Sequence, residues 1–299
     1  MNQPDPTYVE ASGVPANVIK YALQPVSLVL ILWYWINDPD NPLAFAITIG
    51  ALHMVLWPLE LSMPARPGWL IRGWEKARDI VLVILLTIAT GYVAVLYDAL
   101  LREPLSDFRQ SLNLDVWPHQ WPLLVQVFVV FFCSEFIWYW FHRAEHRWHF
   151  AWRLTGHGTH HSFKRLGALN FGLNHPLEFF LLVLPAALIE LTFGVGLAAA
   201  GAAILGTAQA SIAHCNLDLN TKGIGWLLTT NRYHLHHHSV VLAESNTNYG
   251  CSAIIWDRLF GTFADAQTRE AGSGPTEPSL WQKVLMPIRE PVDTAIAPD

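Results

Sequence analysis

Four apolar segments constrain the fold of this chain most strongly. They run over about 18–36, 43–63, 80–101 and 121–141, and each is roughly 20 residues long, enough for a helix to cross a bilayer. A further apolar stretch from Pro176 to Ala213 is too long for one helix. Gly194 and Gly196 near its middle predict a hairpin of two spans or a re-entrant pair. The sequence therefore predicts an all-α integral membrane protein with about six transmembrane helices.

The composition agrees with a membrane protein. The hydrophobic fraction is 52% and the charged fraction only 14%, and the 14 Trp and eight Tyr are typical of aromatic belts at the lipid headgroups. The net charge of −6 argues against a nucleic-acid partner. The three cysteines form no C-x-x-C pair, so we expect neither a disulfide framework nor an iron–sulfur centre.

The distribution of Lys and Arg predicts the orientation of the chain in the membrane. Basic residues are concentrated in the loop after the second span and in the stretch after the fourth, at Arg66, Arg72, Lys76, Arg78, Arg143, Arg147, Arg153, Lys164 and Arg165. The loops at 37–42 and 98–115 are acid-rich instead. Because Lys and Arg mark the cytoplasmic side, we expect both termini inside and the protein in a plasma membrane, the inner membrane of a bacterium.

Three histidine boxes carry the chemistry that the sequence predicts. They are HRAEH, HGTHH and HLHHH, and the last is taken as the motif H-x-x-H-H. The three boxes supply His142, His146, His157, His160, His161, His234, His237 and His238. Residues three or four apart share a helix face, so each box would direct its imidazoles into one common space on the cytoplasmic side. Eight imidazoles exceed what one ion can bind, which indicates two metals. His214 ends the last span at the same face and is predicted as a ninth ligand.

Four further residues are predicted to lie behind the ligands. Glu135 precedes His142 by one heptad and would accept a hydrogen bond from a ligand. Asp218 follows His214 by four residues and could supply a carboxylate or a hydrogen bond. His175 opens the predicted hairpin on the cytoplasmic side, and His236 lies inside the last box but off its shared face.

Several kinds of metal site are consistent with these residues. HRAEH fits the inverted zinc-protease motif with Glu145 as base, but that hypothesis leaves the other two boxes unexplained. A non-catalytic membrane protein that binds metal or haem is the rival from another class. Two irons that activate O2 make the best use of eight or nine imidazoles, because such a centre can break an unactivated C–H bond.

The boxes resemble those of the fatty acid hydroxylase and sterol desaturase superfamily, which consists of membrane di-iron enzymes. HCN at 214–216, NTNYG at 246–250 and WDRLFGTF at 256–263 strengthen this resemblance, which covers residues 121–265. It implies a helical membrane bundle with a cytoplasmic histidine cap and O2-dependent hydroxylation, or less often desaturation, of a lipid. The lipid would be a fatty acyl chain, a sterol or hopanoid, a carotenoid or a chain linked to a lipid headgroup. Some members carry a second histidine where this chain has Asp218.

The domain organisation follows from these assignments. We expect a flexible N-terminal tail at 1–17, N-terminal transmembrane helices at 18–120, the di-iron domain at 121–265 and a flexible C-terminal tail at 266–299. The sequence shows no flavin, haem or iron–sulfur motif, so electrons would come from a separate ferredoxin or a cytochrome b5-like protein. The basic surface after the fourth span could bind such a carrier or contact anionic lipid.

Overall fold

Residues 7–220 and 222–289 are described by a computed structural model, and the regular secondary structure within them is helical, with no β-strand. Six helices are long and apolar enough to cross a membrane. They are α1 (Val14–Asn37), α2 (Ala44–Ser62), α3 (Gly73–Ser111), α4 (Leu123–Arg147), α7 (Phe179–Phe193, extended by the turn Pro176–Glu178) and α8 (Leu197–His214). The predicted all-α membrane protein with six spans is confirmed.

The third span is much longer than its apolar segment. α3 has 39 residues, against a predicted segment of 80–101. At 1.5 Å per residue it is about 58 Å long, roughly twice the hydrocarbon thickness of a bilayer. Its polar ends, which carry Glu75 at one end and Arg109 at the other, therefore extend beyond the apolar segment on both sides.

The stretch 176–213 forms the predicted hairpin. Gly194 and Gly196 both adopt positive φ angles, 65° and 62°, between α7 and α8. Residues other than glycine reach this region only at a cost, so the two glycines permit the tight reversal. α7 packs on α3 and α4, whereas α8 packs on α4, α1 and α2.

α8 lies at the centre of the bundle. Its small residues let neighbouring helices approach closely: a Cβ on Gly201 would lie 2.5 Å from the Trp35 ring and 2.6 Å from Val127. Small residues at helix contacts are typical of membrane bundles. α8 ends at His214, beside the cap.

Six short helices form a cap at the end of the bundle where α4 and α8 finish. They are α5 (His149–Thr155), α6 (His157–His161), α9 (Asn231–His237), α10 (Leu242–Ser245), α11 (Ile255–Phe260) and α12 (Leu280–Leu285). Single 3₁₀ turns occur at Pro67–Trp69, Ala168–Gly172 and Ile224–Trp226. An isolated antiparallel bridge joins Ser239 to Ala271.

Parts of the two predicted tails make specific contacts in the residues that the structure describes. Near the N-terminus, the Asp218 carboxylate accepts hydrogen bonds from the Tyr8 hydroxyl at 2.7 Å and from the Ala11 amide at 2.8 Å. Near the C-terminus, Met286 is completely buried and α12 packs on α6. The cap supplies these segments with partners that composition does not reveal. Residues 1–6 and 290–299 of the predicted tails lie outside the described residues.

Candidate metal centre

Nine buried histidines converge in the cap as two adjacent groups. The ligand atoms of each group all lie within 4.8 Å of one another. The first group, called the five-histidine group, comprises His142, His146, His157, His161 and His237; the second, the four-histidine group, comprises His160, His214, His234 and His238. These are the nine residues that the sequence predicted as ligands, and the structure brings all of them together.

Each H-x-x-H-H box is divided between the two groups, which corrects the expectation that a box faces one common space. His157 and His161 lie in the five-histidine group and His160 in the other. Positions i+3 and i+4 lie about 100° apart around a helix of 3.6 residues per turn, so the adjacent histidines of a box diverge. Two metal positions can therefore share the same short helices.

Backbone carbonyls determine which ring nitrogen faces the centre. The Nδ1 atoms of His142 and His237 donate to the carbonyls of Tyr249 at 2.6 Å and Thr247 at 2.7 Å. His214 Nδ1 donates in the same way to Ala210, at 2.7 Å. A carbonyl only accepts, so the proton resides on Nδ1 and each Nε2 carries a lone pair. That is the form of imidazole that binds a metal.

The geometry of these lone pairs fits a bound cation. The Nε2 atoms of His142 and His237 are 3.0 Å apart, and neither carries a proton to place between them. Two lone pairs at this distance repel one another unless a positive ion lies between them. Ligands at right angles around an ion, with metal–nitrogen bonds of about 2.1 Å, would be about 3.0 Å apart. Neighbouring Nε2 atoms in the four-histidine group are 2.9 to 3.2 Å apart.

The NTNYG and WDRLFGTF motifs position these carbonyls. Asp257 accepts hydrogen bonds from the amides of Tyr249 and Gly250, both at 2.7 Å, and from the Thr262 hydroxyl at 2.6 Å. Burial raises the pKa of Asp257 to about 6 despite these bonds. Asp257 therefore holds the 246–250 loop, whose Thr247 and Tyr249 carbonyls orient two ligands.

Glu178 is a site residue that the sequence analysis missed. Its Oε1 accepts a hydrogen bond from His157 Nδ1 at 2.8 Å, and the carboxylate of Glu145 lies 3.7 Å from the same nitrogen. All three side chains are buried. A carboxylate behind a ligating imidazole fixes its tautomer and its orientation. The signal was the acidic residue that follows His175 and Pro176 directly before an apolar span.

Glu60 holds two segments that carry metal-ligand candidates, although it lies outside both histidine groups. Its Oε1 accepts from the amides of Ala168 at 2.7 Å and Asn216 at 2.9 Å. These amides follow the HGTHH box and His214 closely in the chain. One carboxylate at the end of α2 thus connects two ligand-bearing segments.

The four residues predicted to lie behind the ligands contact neither group in the structure. Glu135 accepts from the Ser252 amide at 3.0 Å, and Asp218 holds the N-terminal segment. His175 donates to the Val284 carbonyl at 3.1 Å, and His236 lies 3.9 Å from Glu244. One heptad, or a spacing of four residues, fixes a helix face but not which neighbouring element that face meets.

The electrostatics of the cap favour neutral imidazoles. Burial, followed by the proximity of other imidazoles, lowers the pKa of six histidines outside the spans well below its usual value: His157, His160, His161, His234, His237 and His238. The groups are therefore uncharged near neutral pH, ready for a metal.

The part of the chain that carries the nine histidines also matches a known protein family. Residues 127–262 match the fatty acid hydroxylase family. The chain is 33% identical over 219 residues to ornithine lipid hydroxylase OlsE of Rhizobium tropici, covering 68% of this chain and 62% of the relative. It is 27% identical over 171 residues to alkylglycerol monooxygenase of Xenopus tropicalis, covering 56% of this chain and 33% of the relative. The match thus spans less than two thirds of either relative, and no solved structure matches significantly.

Proposed function

Since the chain belongs to the fatty acid hydroxylase superfamily, we propose that it is a di-iron membrane oxygenase that hydroxylates a C–H bond of a lipid with O2. The observation that carries this proposal is the division of nine buried Nε2 atoms into two adjacent groups. In the balanced reaction the lipid, O2, two electrons and two protons give the hydroxylated lipid and one water.

The five-histidine group would bind one iron and the four-histidine group the other. When bound, the two irons supply the activation of O2 that side chains cannot perform. The protein's own residues hold the imidazoles in place through Glu178 and the carbonyls of Tyr249, Thr247 and Ala210. The burial of these imidazoles keeps stray water from the metal centre.

The named relatives guide the choice of substrate and outcome. One is named for an ornithine lipid and the other for an alkylglycerol, and the names are those of a hydroxylase and a monooxygenase. We therefore propose an amphiphilic lipid with a polar head and an alkyl or acyl chain, rather than a sterol, hopanoid or carotenoid. Hydroxylation is preferred to desaturation on the same grounds.

Electrons would come from a separate carrier, a ferredoxin or a cytochrome b5-like protein, on the cytoplasmic side of a bacterial inner membrane. The excess of Lys and Arg near the cap supports this sidedness. Two of the basic residues considered for docking already have acidic partners, however. Lys164 pairs with Glu270 and Arg165 with Glu75, both at 2.9 Å. A docking carrier would have to displace those acidic partners before it could contact Lys164 or Arg165.

Metal analysis and lipid mass spectrometry test the proposal together. Protein from iron-replete cells should contain about two irons per chain, the number that two histidine groups can bind. Lipid extracts from cells that contain the protein should show a species heavier by one oxygen, absent with His237→Ala. A single zinc without iron would favour the non-catalytic rival. Loss of two hydrogens would indicate desaturation, and an unchanged lipid profile would contradict both outcomes.

A further inference from the structure

An exposed apolar surface crosses two short helices of the cap. α5 and its neighbourhood expose Trp148, Phe150 and Leu154, and α12 with the following turn exposes Leu280, Trp281, Val284 and Ile288; we call these seven residues the α5–α12 patch. The exposed fractions reach 79% for Ile288, 74% for Phe150 and 67% for Trp281. An apolar surface of this size on a polar cap indicates a contact with another apolar phase.

The α12 part of the patch has the pattern of an amphipathic helix. Leu280, Trp281 and Val284 lie on the exposed side of α12, and Ile288 is exposed in the turn that follows it. The opposite face is buried against the HGTHH helix: the Thr159 hydroxyl donates to the Lys283 carbonyl at 3.0 Å, and Met286 is fully buried. α12 therefore covers a ligand-bearing helix with one face and leaves its apolar face outward.

The position of the patch along the membrane normal is fixed by two spans. α5 begins two residues after α4 ends at Arg147. The Arg153 guanidinium donates to the Ile288 carbonyl at 3.0 Å, which joins α12 to α5. His175, directly before the turn that opens α7, donates to the Val284 carbonyl at 3.1 Å. Both helices of the patch thus lie at the ends of membrane-spanning helices.

The apolar surface continues onto a span. Leu177 and Phe180, at the start of α7, are 44% and 39% exposed beside the Val284 contact. Because α7 is long and apolar enough to cross a membrane, its exposed apolar side chains would contact lipid. Two tryptophans, Trp148 and Trp281, lie in the patch, and tryptophan is enriched at the headgroup level.

We propose that the α5–α12 patch lies in the headgroup layer of the bilayer, so that α12 is an interfacial helix that holds the HGTHH helix in place from the membrane side. The bilayer is the occupant because the patch is continuous with the lipid-contacting surface of α7. Interfacial helices of this kind place their apolar face roughly 5–10 Å into the headgroup and acyl boundary.

Depth-dependent fluorescence quenching tests this placement without reference to the reaction. A bimane label is attached at Ile288→Cys, or at Phe150→Cys, in a background where the exposed Cys133 is changed to Ser. The matched control is Val241→Cys, which is 51% exposed on the cap but outside the patch. The protein is placed in nanodiscs of phosphatidylcholine and phosphatidylglycerol with and without 5-doxyl lipid.

Labels at 288 and 150 should be quenched at least about twofold more than the label at 241, because they would lie at the depth of the doxyl group. Equal quenching at all three positions would overturn the proposal. Shielding of the 288 label that increases with protein concentration would also overturn the proposal, because it would assign the patch to a contact with a second copy of the chain.

A second experiment measures the consequence for the covered helix. Trp281→Glu with Ile288→Glu should detach α12 from the bilayer and increase amide hydrogen exchange in residues 157–162, whereas Val241→Glu should not. Unchanged exchange in the double variant would show that the membrane contact does not support the HGTHH helix.

Discussion

The hydrogen bond between His157 and Glu178 shows how a residue outside the ligand set, Glu178, can orient a ligand. Its Nδ1 donates to Glu178, and its Nε2 lies 3.1 Å from those of both His142 and His146. Glu178→Ala should weaken metal binding about 10–100-fold, because the imidazole loses the acceptor that orients it. Glu178→Gln keeps an acceptor oxygen and should retain most of the affinity. Competition with a chelator, read as metal per chain, measures both; equal retention by Glu178→Ala and the wild type would contradict the proposed role.

The last histidine box gives a sharper comparison between neighbouring residues. His237→Ala removes a member of the five-histidine group and should abolish metal binding at that group and product formation. His236→Ala removes a ring near Glu244, outside both groups, and should reduce activity by about 10–100-fold at most. Metal content and product yield are measured for each variant. A dead His236 variant beside an active His237 variant would show that the assignment of the box is wrong.

At the scale of elements, the contact between α6 and α12 depends on Gly158. A Cβ there would lie 2.5 Å from the Met286 sulfur and 2.6 Å from the Trp152 ring nitrogen. Gly158→Ala should therefore cost about 1–3 kcal/mol of stability through overpacking. Gly206→Ala is the matched control, because its Cβ would meet nothing nearer than 3.8 Å and alanine favours a helix. Thermal unfolding in detergent compares the two, and equal midpoints would refute the close packing.

At the scale of the whole molecule, the buried histidines predict sensitivity to acid. Their pKa values are lowered in the folded chain, so they stay neutral while the unfolded chain binds protons below about pH 6.5. The free energy of unfolding of the metal-free protein should therefore decrease as the pH is lowered below about 6.5. The decrease should be about 1.4 kcal/mol per pH unit for each such histidine. Unfolding midpoints between pH 8 and pH 5 measure this.

The exposed His119 provides the control for that experiment. His119→Gln should leave the pH profile unchanged, whereas His160→Asn should make it shallower because one buried titrating group is removed. A flat profile for the wild-type chain between pH 7 and pH 5 would mean that the cap does not exclude protons from its imidazoles.

The sequence by itself determined the elements that local pattern controls. The six spans follow from the length of apolar segments, and the hairpin follows from Gly194 and Gly196, which adopt its positive φ angles at the least cost. The nine histidines were identified by ligand type and spacing. These features depend on residues close together in the chain, which is why they could be read without a structure.

Tertiary structure alone decided how those histidines are grouped and supported. The division of the HGTHH box depends on where α8 and α9 bring His214 and His237 around α6, and Glu178 and Asp257 act on ligands far away in sequence. The contact of α12 with α6 likewise joins segments that are distant in the chain. Contacts between distant segments leave no periodic signal, because the partner that satisfies a buried polar group is fixed only when helices pack.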